Sequence, residues 1–199
     1  LNGAEVADHL GGYLPFSAEV SGLLRVHGNV LTVRLDSTFN LNVPPDRPAP
    51  ELAVSVDYWQ PGGIYRDVRL RVVPQAFLAD VFAKPVSVLD PAARQVVVQA
   101  TVDAAAGLEG PAHVAVRLLG DGGEIAAARV PVAIAGPGQV TVTATLPGLE
   151  VVRLWDIDDP ALYTVAAELR VDGERVDEHR VRTGFREARF ALDGFYLNG

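Results

Sequence analysis

The side chains of this chain that could perform acid–base or metal chemistry are carboxylates, and they are dense at one place. Asp156, Asp158 and Asp159 lie within four consecutive positions. A pair of carboxylates can act as general acid and nucleophile, and a larger group can bind calcium. This stretch lacks the glycine and the spaced ligands of a calcium-binding loop. We therefore predict an ordinary loop here.

Other reactive residue types are absent or scattered. Cysteine does not occur, which excludes disulfides, thiolate metal ligands and cysteine nucleophiles. The four histidines form no i, i+4 pair that could bind zinc. No serine lies in a Gly-x-Ser-x-Gly turn, and no glycine-rich stretch matches a phosphate-binding loop. The sequence therefore predicts neither a metal nor a cofactor.

The net charge narrows the range of partners. The 199 residues include 17 Lys+Arg and 25 Asp+Glu, for a net charge of −8. Such a chain repels nucleic acids and anionic membranes on average. No apolar run approaches the roughly 20 residues that cross a bilayer. We therefore expect neither nucleic acid nor membrane as a partner.

Period-two alternation of apolar and polar residues runs through most of the chain. It is clear in the stretches 31–35, 67–73, 96–102, 114–118, 140–146 and 163–171. This pattern places one side of each strand in a core and the other in water. Turn-forming pairs such as Asp172-Gly173 separate the runs. The short stretch Ala126-Ala127-Ala128 lies between strand-like neighbours, so we predict a strand there too, and an all-β protein.

The spacing of the predicted strands suggests two domains. One strand ends near Val73, and a new strand begins with Leu78-Ala79-Asp80-Val81-Phe82. About seven strands follow up to Arg186, the number expected of an immunoglobulin-like β-sandwich. The first part has fewer strands and a proline-rich loop at residues 37–50. A loop of this length is usually functional or disordered.

Both ends of the sequence lie in hairpin patterns. The chain begins with Leu1-Asn2-Gly3, and Asn-Gly is the preferred loop of a two-residue β-hairpin. Asp193-Gly194 predicts another hairpin turn, whose returning strand is followed at once by the last residue. We therefore expect a segment of a longer protein, truncated in its first domain.

Three stretches resemble family 2 glycoside hydrolases, which include β-galactosidases, β-glucuronidases and β-mannosidases. The first combines Leu1-Asn2-Gly3 with Gly11-Gly12-Tyr13-Leu14-Pro15-Phe16 and Asn29-Val30-Leu31-Thr32-Val33-Arg34. The second, residues 57–68, is similar to the pattern D-x-W-x-x-x-G-I-[YF]-R-D-V. The third contains Leu154-Trp155, Asp159-Pro160, Leu162-Tyr163-Thr164, Gly184-Phe185-Arg186 and Gly194-Phe195-Tyr196-Leu197-Asn198-Gly199. Their common order over nearly the whole chain makes a chance match improbable.

The resemblance implies a domain plan and an activity for the intact protein. Residues 1–77 would form a partial, galactose-binding-like jelly-roll β-sandwich, and 78–186 an immunoglobulin-like β-sandwich. Residues 187–199 would begin a (β/α)₈ barrel, which carries both catalytic glutamates in this family. The chain alone is then expected to be inactive. The intact protein is expected to hydrolyse a terminal β-glycoside with retention of configuration, and residues 57–68 and the proline-rich loop look most like the β-galactosidase branch.

The resemblance also assigns roles within residues 57–68. In β-galactosidases of the family, the first aspartate of this pattern contacts the terminal sugar, and Asp57 matches it. A carboxylate can accept two sugar hydroxyls in charge-assisted hydrogen bonds. Alternatively, Asp57 pairs with Arg66 or caps a turn. Tyr58, Trp59 and Tyr65 could stack on a sugar face, although aromatic residues within strands more often pack in a core.

Two further details of this stretch are predictions about its backbone and its ion pairs. Gly62-Gly63 is expected to permit a positive φ or the close approach of another segment. Arg66 and Asp67 lie on opposite faces of one strand, so we do not expect them to pair with each other.

A different class of function also fits an all-β chain. Tandem β-sandwiches can form a carbohydrate-binding, protein-binding or adhesion module without hydrolase activity. The predicted final hairpin at residues 194–199 favours the hydrolase, because it matches the entrance to a barrel. If the first domain lacks its early strands, it exposes a sheet edge, which could pair with a second copy to form a homodimer.

Overall fold

The computed structural model describes residues 1–37 and 62–199, which belong to two compact units, Leu1–Leu70 and Arg71–Gly199. The described residues contain nine β-strands and a single turn of 3₁₀ helix at Ser21–Leu23. None of their helical structure is long and apolar enough to span a bilayer. The prediction of an all-β chain is confirmed.

Two of the predicted strands, one in the first unit and one at its end, do not form among the described residues. The alternating runs at 31–35 and 67–73 have no ladder of backbone hydrogen bonds to other described residues. Their apolar side chains are exposed: Leu31 is 52% and Val68 61% accessible. Alternation supplies a face that can be buried, but a strand also needs a neighbour for its N–H and C=O groups.

The predicted turn at the start of the chain does form. Asn2 and Gly3 both have positive φ, 53° and 88°, and Ala4 donates its backbone N–H to the carbonyl of Leu1 at 2.9 Å. Positive φ at both central residues is what a two-residue type I′ turn requires, and Asn-Gly accepts it at low cost.

The second unit is a two-layer β-sandwich of seven strands. They are β1 (Ala76–Val86), β2 (Gln95–Ala104), β3 (Ala112–Gly120), β4 (Gly123–Val132), β5 (Gly138–Leu146), β6 (Tyr163–Val171) and β7 (Glu174–Thr183). One sheet has the order β1-β2-β5, the other β4-β3-β6-β7, and all pairs are antiparallel. The fourth strand pairs with the third, whereas a constant-type immunoglobulin domain places it on the other sheet.

The core of this sandwich follows directly from the alternation. In β2 and β3 every second residue is buried, as in Val96, Val98, Val114 and Val116. The alanine stretch 126–128 lies inside β4, as predicted. Burying large aliphatic side chains contributes roughly 1.5–3 kcal/mol each, so these strands supply most of the driving force for folding.

A separate hairpin follows the sandwich. Strands β8 (Ala188–Ala191) and β9 (Gly194–Leu197) pair across a two-residue loop, Leu192-Asp193. The hairpin predicted from Asp193-Gly194 therefore forms, with its turn one residue earlier. Asp172-Gly173 also turns as predicted, with φ of 51° and 82° between β6 and β7.

Candidate functional site

The three residues predicted to contact sugar, Asp57, Tyr58 and Trp59, lie outside the described residues. So does the proline-rich loop beyond Ser37. The structure describes the segment that follows them, from Gly62 onwards, and the parts of the first unit that this segment contacts.

The glycine pair of this segment packs closely against Ser37. A Cβ atom built on Gly62 would lie 2.5 Å from the Ser37 hydroxyl oxygen, well inside van der Waals contact. Gly63 has a φ of +93°, which disfavours a side chain at that position. Both parts of the prediction for Gly62-Gly63 are confirmed. The residues that flank the undescribed stretch therefore lie against each other.

Tyr65 fixes this segment to the first resemblance motif. Its hydroxyl donates to the carbonyl oxygen of Gly12 at 2.6 Å, and the Arg66 guanidinium lies 5.4 Å from the ring centroid. Asp67 forms its ion pair with Arg69 rather than with Arg66, in agreement with the sequence analysis. The hydroxyl of Tyr65 is thus bonded to the backbone of Gly12, while the residue as a whole stays 50% exposed.

Two asparagines interlock at the start of the first unit, a role that the sequence analysis missed. The Asn2 amide donates to Leu23 O (2.8 Å) and to Asn29 Oδ1 (2.9 Å), and it accepts the N–H of Val30 at 2.9 Å. Asn29 accepts the N–H of Arg25 and donates to the carbonyl of that residue. The sequence analysis placed Asn29 in a motif but did not predict its hydrogen bond to Asn2, which lies 27 positions away.

The third resemblance motif forms a junction between the sandwich and the hairpin β8–β9. Trp155 donates its backbone N–H to Phe185 O at 2.8 Å, and the Arg186 guanidinium lies 5.0 Å from the centroid of the indole. Phe185 is fully buried and meets Tyr163 edge-to-face at 5.3 Å. The backbone beyond the sandwich is therefore held against its core by aromatic packing.

Asn198 completes this junction. Its amide donates to Trp155 O at 3.0 Å, and its Oδ1 accepts the N–H of Glu187 at 3.1 Å. Its own backbone N–H donates to Glu187 O at 2.9 Å, and its φ is 57°. One side chain thus connects the end of β9, the start of the hairpin and the Trp155 segment.

The hairpin presents apolar side chains to solvent. Phe190 and Phe195 are cross-strand partners with ring centroids 5.0 Å apart. Phe190 is 84% exposed, and Leu192 at the turn is entirely exposed. Exposed apolar residues on protein surfaces are usually scattered singly, whereas this small hairpin exposes three large ones together. Such a cluster is typical of a surface that contacts another part of a protein.

The acidic stretch 156–159 is held by its own hydrogen bonds. Asp159 forms an ion pair with Arg153 at 2.7 Å, and Asp156 accepts the backbone N–H of Asp158 at 3.2 Å. Among the described residues, no group of three or more potential ligands is arranged to hold a metal ion. The carboxylates stabilise the turn that leads into the short segment before β6.

Comparison with known proteins assigns the family. The sequence model for the family described as "Glycosyl hydrolases family 2" matches residues 76–186, more than half of the chain. All seven strands of the sandwich lie inside this range. The chain therefore belongs to glycosyl hydrolase family 2.

Curated relatives match along almost the whole chain. A β-galactosidase of Thermoanaerobacterium thermosulfurigenes is 28% identical over 207 residues, covering 100% of this chain and 27% of that protein. A β-galactosidase of Rhizobium meliloti is 32% identical over 191 residues, covering 94% of this chain and 23% of that protein. The chain therefore spans about a quarter of the length of these relatives.

Solved structures share the fold. β-Glucuronidase 2 of Bacteroides uniformis has a TM-score of 0.69 and 22% identity, over 83% of this chain and 20% of that one. A family 2 β-galacturonidase of Eisenbergiella tayi has a TM-score of 0.63 and 24% identity, over 83% of this chain and 27% of that one. Similarity at this level of identity concerns the fold alone.

Proposed function

We propose that this chain is the non-catalytic region of a retaining β-glycoside hydrolase whose substrates are terminal β-galactosides. The observation that carries the proposal is membership of glycosyl hydrolase family 2, together with two relatives named β-galactosidase that align along nearly the whole chain. In this proposal the acid/base and the nucleophile lie outside the chain. The chain supplies position, which gives no cleavage on its own.

The proposed role has two parts, which correspond to the proposed domains. Residues 1–77, a jelly-roll sugar-binding domain, bring Asp57 to the terminal sugar, with Tyr58 and Trp59 beside it. Residues 78–186, the immunoglobulin-like domain, brace the catalytic barrel, which begins at residues 187–199. The exposed apolar side of β8–β9 supports this role, because Phe190, Leu192 and Phe195 offer a contact surface that is fixed to the sandwich by Asn198.

The proposal is tested by comparing activity with and without the rest of the protein. The full-length protein and the 199-residue chain are assayed on nitrophenyl β-galactoside, β-glucuronide and β-mannoside. We expect the full-length protein alone to hydrolyse substrate, fastest with the galactoside, and with retention by NMR. Cleavage by the short chain, or no cleavage of any β-glycoside by the full-length protein, contradicts the proposal. The second outcome favours a binding or adhesion module.

We also propose that the first unit can associate with a second copy. Its alternating apolar residues at 31–35 and 68–70 are 45–65% exposed, and a row of such residues, next to backbone that pairs with no other described residue, favours strand addition. Light scattering of the 199-residue chain should show a mass that rises with concentration. A constant monomer mass at the highest soluble concentration contradicts this.

A further inference from the structure

The outer face of the four-stranded sheet is rich in arginine. In β3 the residues between the buried ones point away from the core, and register places their neighbours in β4 and β6, and the partners of the latter in β7, on the same side. Six arginines lie on this outer face: Arg117, Arg129, Arg170, Arg175, Arg180 and Arg182. Its carboxylates are Glu124, Glu168 and Glu178. The face is therefore positive in a chain whose net charge is −8.

Two of these carboxylates are already neutralised. Glu168 and Glu178 are direct cross-strand partners, a like-charge arrangement that is unfavourable unless cations surround it. Glu168 accepts from Arg117 at 2.5 Å and from Arg170 at 3.0 Å. Glu178 pairs with two further arginines of β7. Burial raises the pKa of Glu168, but the hydrogen bond from Arg170 and the neighbouring arginine charges outweigh it and lower the pKa.

A concavity of about 570 Å³ lies on this face. Arginines 117, 129 and 170 line it together with Glu124 and Glu168, and Ala115 and Ala127 lie between them on the outer face. Because alanine side chains are short, the sheet surface is low here, while the arginine head groups can extend above it. The side chain of Arg129 makes no hydrogen bond or ion pair with any residue in the described ranges, so its guanidinium is available to a ligand.

The chemistry of the face indicates what could occupy it. Guanidinium groups bind carboxylates in bidentate pairs, with geometry that an ammonium group cannot match. Protein partners usually need a central cluster of large apolar side chains. None of the exposed large apolar residues of the described ranges lies on β3, β4, β6 or β7. The methyl groups of the alanines suit the C–H faces of sugar rings better than a flat protein surface.

We propose that this outer face binds a carboxylated oligosaccharide, with Arg129 and Arg117 receiving the uronate carboxylates and the alanines supporting the rings. The negative charge elsewhere on the chain does not prevent this. At physiological ionic strength, exposed charges beyond about 8 Å are largely screened, so the local arginines dominate. The site is independent of the proposed hydrolytic activity, since it lies entirely within the sandwich.

The test uses the full-length protein and hexagalacturonate, an α-linked probe that a β-glycosidase does not cleave. Binding is measured by calorimetry at low and high salt. Fully methyl-esterified hexagalacturonate and hexaglutamate serve as comparison ligands. Arg129→Ala removes an exposed residue without an internal partner, and Arg153→Ala is the matched control, an exposed arginine outside this face. Nitrophenyl β-galactoside hydrolysis is followed in all variants.

We expect hexagalacturonate to bind, more weakly at high salt, and Arg129→Ala to weaken it about tenfold, the effect of losing one hydrogen-bonded charge. Arg153→Ala should change affinity by less than about twofold. Hydrolysis should be unchanged in both variants. The inference is overturned by any of four results: no binding at millimolar ligand, wild-type affinity in Arg129→Ala, equal affinity for the methyl ester, or hexaglutamate binding as tight as that of the uronate.

Discussion

Replacing Asn198 with alanine measures how firmly the hairpin β8–β9 is fixed to the sandwich. The substitution removes two hydrogen bonds, to Trp155 O and from the N–H of Glu187. Each contributes about 0.5–1.5 kcal/mol net. Alanine at a φ of 57° adds about 1 kcal/mol of backbone cost. Together these raise the free energy of the docked hairpin by about 2–4 kcal/mol.

The effect should be local. About 2–4 kcal/mol corresponds to a 30-fold to 1,000-fold increase in the opening equilibrium of the hairpin. We expect the amide protons of β8 and β9 to exchange faster by that factor in Asn198→Ala, as measured by hydrogen exchange. The core strands should keep their protection, because Phe185 remains buried and retains its contact with Tyr163.

Three companion variants separate the contributions. Asn198→Gly loses the side chain but tolerates the positive φ, so it should be about 1 kcal/mol less damaging than alanine. Asn198→Asp keeps the acceptor for Glu187 and loses the donor to Trp155, so its effect should be intermediate. Tyr196→Phe removes an exposed hydrogen bond to Asp193 in the same hairpin and should change exchange little. Unchanged hairpin exchange in both Asn198→Ala and Asn198→Gly refutes the reasoning.

The remaining predictions concern three charged groups. Asp57→Asn in the full-length protein should lower kcat/KM for a β-galactoside about tenfold to a hundredfold without loss of stability, because it removes charge-assisted hydrogen bonds. Unchanged kinetics would favour the alternatives in which Asp57 caps a turn or pairs with Arg66. Glu168→Gln should destabilise the sandwich by about 2 kcal/mol in urea at pH 7. The folded-state pKa of Glu168 is lowered, so its contribution to stability is complete above the ordinary carboxyl pKa of about 4.3 and is lost as the pH falls through the folded-state pKa. The unfolding free energies of wild type and variant should therefore converge in acid. A difference in unfolding free energy that stays constant with pH contradicts this. Arg94→Met should lower the free energy of unfolding by about 3 kcal/mol, because this buried guanidinium donates to the carbonyls of Val88, Leu149 and Val152. If thermal unfolding gives a stability within about 0.5 kcal/mol of wild type, water replaces the guanidinium as the donor to these carbonyls.

The sandwich could be predicted from the sequence because its information is local. Alternation marks β2, β3, β5 and β6, and pairs such as Asp172-Gly173 set the tight turns. Even the alanine stretch in β4, which has helix propensity, follows its strand neighbours, because tertiary pairing outweighs a weak local preference. The pairing of β4 with β3 is also indicated locally, by the loop Asp121-Gly122 between the paired residues Gly120 and Gly123. Pairing across longer connections, such as that of β3 with β6, was not predictable in this way.

Other features depend on contacts between distant residues. Arg94 looks like a surface residue beside a proline turn, yet it is buried among carbonyls up to 58 positions away. Asn198 lies in a motif that predicted a hairpin, but its bond to Trp155 spans 43 positions. The runs at 31–35 and 67–73 have strand-like patterns without strand pairing among the described residues. The roles of Asp57, Tyr58 and Trp59 stay predictions.

The order of strands in the sandwich has a consequence for its synthesis. Each sheet interleaves early and late segments: β2 lies between β1 and β5, and β3 between β4 and β6. Leu78 in β1 donates its N–H to Asp177 in β7, a bond across 99 positions. Neither sheet can therefore be completed until most of the domain has left the ribosome. Such non-local pairing makes folding slow. Translation of about a hundred residues takes seconds, and during that time the apolar strands of the nascent chain must remain apart.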